Sequence, residues 1–141
     1  MQALLMVIGS SQKYIYVQTP YLLPTEPILM ALKNVALAGV DVRIMIPERA
    51  DTKLIHYGSM SYLDELMVAG VKIYRYQKGF LHSKLMVSDD TYSTIGSTNM
   101  DFRSFEHNFE VNALMYDSNS ASMMKEMFLS DQKDAERLQL K

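Results

Sequence analysis

The stretch TEPILMALKNVALAGVDVRIMIP, residues 25–47, decides the class of fold. An apolar pattern from Ile28 to Ala38 reads as a helix with one buried face. Thr25, Glu26 and Pro27 mark its start, because a hydroxyl caps free amide groups and proline is tolerated in a first turn. Gly39 supplies the stop. Asp41 to Ile46 is then a β-branched strand, ended by Pro47. The next stretch repeats this architecture without repeating the sequence. Leu54 to Ala69, with Ile55, Leu63, Leu66 and Met67 apolar, reads as a second helix, followed by Gly70 and a strand from Val71 to Tyr76. Two successive helix–glycine–strand units define an α/β layer.

Working outward, residues 2–11 read as a short helix and Tyr14-Ile15-Tyr16-Val17-Gln18 as a strand closed by Thr19-Pro20. After Gly79 the rhythm changes. Ser83 to Ser88 and Tyr92 to Ile95 read as strands joined across Asp89-Asp90-Thr91, and Phe109 to Tyr116 as a longer one. Strands without intervening helices imply an antiparallel or mixed section of sheet. Ser118 or Ser120 caps a last helix through Leu129, and the charged DQKDAERLQLK beyond it reads as a solvated helical end.

With 141 residues and 48% hydrophobic composition, the chain closes one core and not two, so residues 1–141 are expected to form a single domain. Fourteen Lys and Arg nearly balance sixteen Asp and Glu, which excludes the bulk positive footprint of sequence-independent duplex binding; nucleic acid is not the expected partner. There is no cysteine, hence no disulfide or thiolate chemistry. The twelve methionines are spread along the chain and read as core filler. No run approaches the roughly 20 apolar residues of a spanning helix, and the first residues make a poor signal peptide, so this chain alone is expected to be soluble.

The chemistry-bearing stretch is Leu81-His82-Ser83-Lys84-Leu85-Met86-Val87-Ser88-Asp89, a His-x-Lys-x4-Asp pattern read within a strand. Alternation puts His82 and Lys84 on one face. An ammonium neutralises the non-bridging oxygens of a phosphoester, while an imidazole attacks phosphorus or moves a proton. Six residues beyond Asp89, Gly96-Ser97-Thr98-Asn99 offers backbone amides, a hydroxyl and a carboxamide to phosphate oxygens. In Asn108-Phe109-Glu110-Val111-Asn112 a carboxylate at Glu110 is suited to holding an imidazole in one tautomer.

His82-x-Lys84-x4-Asp89-x6-Gly96-Ser97-x-Asn99 resembles the signature of the phospholipase D superfamily, with Glu110 where that family keeps its histidine-orienting carboxylate. The resemblance spans nearly the whole chain. Tyr14-Ile15-Tyr16 with Thr19-Pro20-Tyr21, Gly39 to Arg43, Gly70 to Tyr74, Gly79 to His82 and Asn108 to Asn112 look like the C-terminal catalytic half of a bacterial cardiolipin synthase. The resemblance implies a half-domain with a mixed sheet flanked by helices on both faces. It further implies cofactor- and metal-independent transfer of a phosphatidyl group between phosphatidylglycerol molecules through a phosphohistidine. By similarity His82 is the general acid and later the base, Lys84, Ser97 and Asn99 hold the phosphoryl oxygens, Glu110 orients, and Asp89 is a motif member of structural rather than chemical role. The implied partners are anionic phospholipid, a second motif-bearing half in the same polypeptide or an identical chain, and a membrane surface reached through the full-length protein. The implied location is the cytoplasmic side of the bacterial cell membrane. This chain departs from the two-motif pattern, for neither His56 nor His107 begins a second His-x-Lys-x4-Asp; an excised C-terminal half is the simplest expectation.

Blander readings compete at several positions. Asp101 and Arg103 are expected to form a structural turn and ion pair, and Arg49 and Asp51 to be solvated loop charges. His82, Asp89, Asp90, Asp101, His107 and Glu110 are a dense set of potential metal ligands, but Lys84 beside His82 opposes a divalent cation and no common spacing is met. Tyr14, Tyr16 and Tyr21 suit base stacking, yet strand tyrosines more often bury their rings. Two other functions fit the motif: a single-motif phosphodiesterase or nuclease active as a homodimer, and a non-catalytic half that buttresses an active partner.

Overall fold

The computed structural model describes the backbone of residues 1–49 and 53–140, with the side chains of all of these but 53–60. In chain order the elements are α1 (Gln2–Ser10), β1 (Tyr14–Gln18), β2 (Leu22–Leu23), α2 (Glu26–Leu37), β3 (Asp41–Pro47), α3 (Lys53–Val68) and β4 (Lys72–Tyr76). They continue as β5 (Leu85–Ser88), β6 (Tyr92–Gly96), β7 (Met100–Asp101), α4 (Phe102–Glu106), β8 (Asn112–Tyr116), α5 (Ser118–Gln132) and β9 (Ala135–Arg137). Seven strands form one sheet in the order β8-β6-β5-β1-β3-β4-β9. β1, β3 and β4 run parallel, and every other pairing in this sheet is antiparallel. The expected α/β class with a mixed sheet is therefore observed.

The two helix–glycine–strand units end their helices identically. Gly39 and Gly70 have φ of 96° and 99°, which a side chain would strain. The amides of Val40 and Val71 each reach back five residues, to the carbonyls of Val35 and Leu66. This closure consumes orphan carbonyls and turns the chain straight into β3 and β4. Strand parity then divides the core. Ile15, Val17, Val42, Ile44, Ile73 and Met86 face α1, α2 and α3. Tyr14, Tyr16, Met45, Tyr74 and Val87 face α5, whose Ala121 and Phe128 are fully buried against them. Helices thus cover both faces, and β1, central in the sheet, is buried along its whole length. Tyr14 and Tyr16 bury their rings, with Tyr16 stacked on Phe128 at 4.8 Å.

Several local expectations are corrected. Thr25 occupies the N-cap position of α2, but its side chain makes no capping bond and its hydroxyl points to the Met1 sulfur. α5 is capped by Asp117, which accepts from the Ser120 amide, rather than by Ser118 or Ser120. The final residues are not a solvated helical end. α5 stops at Gln132, and β9 pairs antiparallel with β4, because the β4 edge otherwise leaves its amides and carbonyls unpaired. β5 begins at Leu85, not Ser83, and β8 at Asn112, not Phe109. β2, β7 and α4 had no periodicity to announce them; Asp101 caps α4 by accepting from the Ser104 amide at 2.7 Å. It forms that turn without an ion pair to Arg103 among the described residues. Asp51 and the side chains of Ile55 and His56 lie outside the described residues, while Arg49 is exposed.

Candidate active site

All the candidate residues but Asp89 gather at one end of the sheet. β1 leaves the sheet there at Gln18, β5 enters at Leu85, β6 leaves at Gly96 and β8 enters at Asn112. His82 and Lys84 lie on the approach to β5 rather than inside it. Lys84 is already partly in register, since its carbonyl accepts from the Gly96 amide at 3.3 Å. The expected proximity holds for a different reason than strand alternation. The Lys84 ammonium bonds the His82 carbonyl at 2.8 Å and lies 3.2 Å from His82 Nε2. The Phe80 ring stacks on the imidazole at 5.6 Å. His82 is exposed and Lys84 half-buried.

Gly96 lets the second arm approach. A Cβ there would collide with the Val111 carbonyl and the Asn112 carboxamide, and would lie 2.6 Å from Asn112 Cα. This close passage brings Ser97 against β8: its amide donates to the Val111 carbonyl at 2.9 Å, its hydroxyl accepts from the Val111 amide at 3.0 Å, and the same hydroxyl donates to Glu110. Asn108 donates to the other Glu110 oxygen at 3.3 Å. The Asn99 amide donates to the Ser104 hydroxyl at 3.2 Å, and its buried carboxamide oxygen is unpartnered among the described residues.

Electrostatics tie the arms together. Burial pushes the Lys84 ammonium below its ordinary range, against the opposing pull of the Glu110 and Asp101 carboxylates. Glu110 is held below the usual carboxylate range, first by the Ser97 hydroxyl, then by Asn108 and Ser104 and by the charge of Lys84. Glu110 is thus engaged by Ser97 and Asn108 in the structure, and its link to the His82–Lys84 arm runs through the charge of Lys84. A cavity of about 280 Å³ adjoins Glu110, walled by Leu4, Thr94, Thr98, Phe105, Asn112 and Leu114.

Asp89 stands apart from this group. It follows the last residue of β5, seven positions from His82, at the far end of the strand. Its carboxylate accepts from the amides of Gln12, Lys13 and Tyr14 at 2.6, 2.9 and 2.9 Å. Asp89 and Asp90 have φ of 52° and 55° in the tight β5–β6 turn, a backbone that Asp tolerates better than most residues. Asp90 accepts from Tyr14 Oη and Lys125, both at 2.9 Å. His107 is exposed, edge-on to Phe102. The residues that looked like a ligand set are therefore dispersed, and no three His, Asp or Glu side chains converge among the described residues. No helix of the described residues is long and apolar enough to cross a membrane.

An open-ended mixed sheet with an imidazole, an ammonium and a Gly-Ser-x-Asn arm at one end is the architecture of the phospholipase D fold. Solved structures agree: the chain superposes on the phospholipase D family member Nuc from Salmonella typhimurium with a TM-score of 0.85 at 22% identity, covering 99% of this chain and 90% of that one. It superposes on NucT from Helicobacter pylori with a TM-score of 0.80, also at 22% identity, over 95% and 87% of the two chains. Within that fold, residues 4–132 match the family model described as cardiolipin synthase, PLD-like domain, and the chain belongs to this family. It is 52% identical over 129 residues to the cardiolipin synthase of Geobacillus sp. (strain WCH70), covering 92% of this chain and 26% of that protein. To cardiolipin synthase 2 of Bacillus cereus it is 47% identical over 132 residues, covering 94% of this chain and 26% of the relative. The chain spans about a quarter of the length of these relatives.

Of the site signal, the residues missed by sequence reading are Gln18, Thr19, Ser83 and Ser104. The signal was faint: each is a small or neutral polar residue whose meaning comes from its partner in space.

Proposed function

We propose that residues 1–141 form one domain, the acid–base half of a phosphatidyltransferase that joins two phosphatidylglycerol molecules into cardiolipin with release of glycerol. The observation that carries this reading is the proximity of Lys84 Nζ to His82 Nε2 at an exposed sheet end, in a chain 52% identical to a cardiolipin synthase. A histidine of a second motif-bearing half, in the same polypeptide, attacks phosphorus and forms a P–N bond. As the P–O bond to glycerol breaks, protonated His82 gives its proton to the departing oxygen. The glycerol hydroxyl of a second phosphatidylglycerol, deprotonated by the now neutral His82, then displaces the phosphohistidine. Lys84, Ser97 and Asn99 stabilise the charge on the non-bridging oxygens. Glu110 belongs to the site by fixing Ser97 and sustaining the charge on Lys84, and Asp89 serves it structurally. No cofactor or metal is required by this scheme. Phe102, Phe109 and Val111 are exposed, Phe109 fully, as expected of a surface completed by another half. The full-length enzyme acts at the cytoplasmic side of the cell membrane. The test is cardiolipin formation by the full reading frame carrying His82→Ala: loss of transfer by orders of magnitude is expected, and full retention overturns the reading.

One observation favours a second reading. Nuc is a phospholipase D family member scarcely longer than this chain. Two identical copies of the chain would then complete a phosphodiesterase site. A monomer by light scattering, with no hydrolysis of simple phosphodiesters, disposes of it.

A further inference from the structure

The His82–Lys84 arm lies outside regular secondary structure, as does Ser97–Asn99, and each keeps only one backbone bond that continues the sheet, from the Gly96 amide to Lys84 and from the Ser97 amide to Val111. Both converge on Gln18, the last residue of β1, and on Thr19, which follows it. Gln18 and Thr19 are each 1% exposed, although both are polar. Burying a carboxamide costs free energy that pairing both its ends offsets. Gln18 Oε1 accepts from the Ser83 hydroxyl at 2.6 Å, and Nε2 donates to Asp131 of α5 at 2.8 Å. Ser83 is the residue between His82 and Lys84. Because Asp131 accepts only, it fixes which end of the Gln18 amide faces Ser83. Next door, the Thr19 hydroxyl accepts from the Met100 amide at 3.1 Å and donates to the Tyr21 carbonyl at 2.8 Å. Met100 directly follows Asn99. The Thr19 amide is itself pinned to the Met45 carbonyl at 3.1 Å.

We infer that Gln18 and Thr19 are a paired positioning device, each holding one arm of the site against the rigid centre of the sheet. Adjacent strand residues point to opposite faces, so one dipeptide reaches two segments that approach β1 from different sides. Gln18 sets the tripeptide His82-Ser83-Lys84, with Asp131 carrying the constraint from α5. Thr19 sets Asn99 through the Met100 amide. Neither residue is assigned contact with substrate. A phosphoryl group bridging Lys84 and Asn99 needs both arms fixed to fractions of an ångström, which loops do not supply unaided. This inference rests on the proposed function for its kinetic consequence but not for its structural one.

The experiment has two readouts. In this chain, isotope-labelled for NMR, Gln18→Leu and Ser83→Ala should both shift the His82 ring and Lys84 side-chain resonances. Asp131→Ala should do the same, and Asp131→Asn, which keeps an acceptor for Gln18, should not. Thr19→Val should speed exchange of the Met100 amide at least ~10-fold, and Thr19→Ser should restore it. In the full-length transferring enzyme, Gln18→Leu and Thr19→Val should lower kcat by ~10–100-fold with KM changed less than about two-fold. Should Gln18→Leu fail to fold, Ser83→Ala and Asp131→Ala decide the same point. Unmoved His82 and Lys84 resonances in the folded variants overturn the inference, as does failure of Thr19→Ser to restore Met100 protection. Full transfer by His82→Ala would instead overturn the proposed function and leave these resonance shifts standing.

Discussion

Replacing Asp89 by alanine separates two meanings of a motif residue. The three amides it accepts from are two in the turn between α1 and β1 and one on Tyr14, the first residue of β1, so the carboxylate fastens the start of the central strand to the end of β5. A hydrogen bond to a charged group contributes roughly 1.5–3 kcal/mol, less where water replaces the lost partner. The amides of Gln12 and Lys13 sit at exposed residues and would be rehydrated; that of Tyr14, a residue only 6% exposed, would not. Counting roughly 1 kcal/mol for each of the first two and 1–3 for the third gives a loss of about 3–5 kcal/mol. Alanine at φ 52° adds roughly 1–2 kcal/mol of backbone strain, which Asp89→Gly relieves while losing the same carboxylate. For a chain of this length the loss without strain corresponds to a fall in Tm on the order of 10–15 °C.

Urea denaturation followed by tyrosine fluorescence suits a chain with nine tyrosines and no tryptophan. Asp89→Ala should be the least stable variant, Asp89→Gly intermediate, and wild type the most stable. Turnover per folded molecule, measured in the full-length enzyme well below its melting temperature, should stay within a few-fold of wild type. Wild-type stability in Asp89→Ala, coupled to a loss of turnover as deep as that of His82→Ala, would refute the reasoning and place Asp89 in the chemistry.

Gly96→Ala should destabilise the chain by about 1–3 kcal/mol and broaden the resonances of residues 108–112, because its Cβ meets backbone atoms of Val111 and Asn112 as well as the Asn112 carboxamide; unchanged urea midpoint and spectra would contradict this. Glu110→Gln removes a charge that sustains the ammonium of Lys84, so the Lys84 side chain, followed by NMR through a pH titration, should lose its proton at lower pH; a titration that stays or moves up would sever the two residues. Burial works against the charge of Asp41, but hydrogen bonds from Arg43 and Lys72 overcome it and hold the carboxyl below its ordinary value. Its contribution is therefore present above about pH 4 and lost as pH falls through the folded value. Asp41→Asn should cost roughly 1.5–3 kcal/mol at neutral pH and flatten the acid limb of stability, as urea midpoints between pH 3 and 7 would reveal.

Much of the fold was legible because it is written in periodicity. The alternation of Ile15 and Val17 with Tyr14 and Tyr16, and the glycines that stop two helices, are local signals that survive in the folded chain unchanged. What was not legible lies where a residue's conformation is set from outside its own segment. DQKDAERLQLK is a fair helical end by composition, yet Ala135–Arg137 pairs with β4, and the reason sits sixty residues upstream in an unpaired edge. The Ser83–Ser88 run has strand chemistry throughout, yet the ladder starts at Leu85, since β1 offers partners only as far as Gln18.

The same distinction explains the site. His82, Lys84 and the Gly-Ser-x-Asn arm were visible because their spacing is itself the signal. Their geometry was not, because strand alternation was the wrong device for it. Lys84 curls back to the His82 carbonyl, while Ser83, the residue that alternation would turn away from the chemistry, carries the tether to Gln18. Glu110 is instructive in the same way. A carboxylate near an imidazole suggests a pair, but a hydroxyl donor only thirteen residues earlier reaches it, and its charge is felt at Lys84 instead. A motif therefore nominates groups, and the sheet end around it states which of them touch. In this chain the unit that connects the two is the end of β1, where a carboxamide and a hydroxyl, both without charge, bond the two arms to which the proposed function assigns the chemistry.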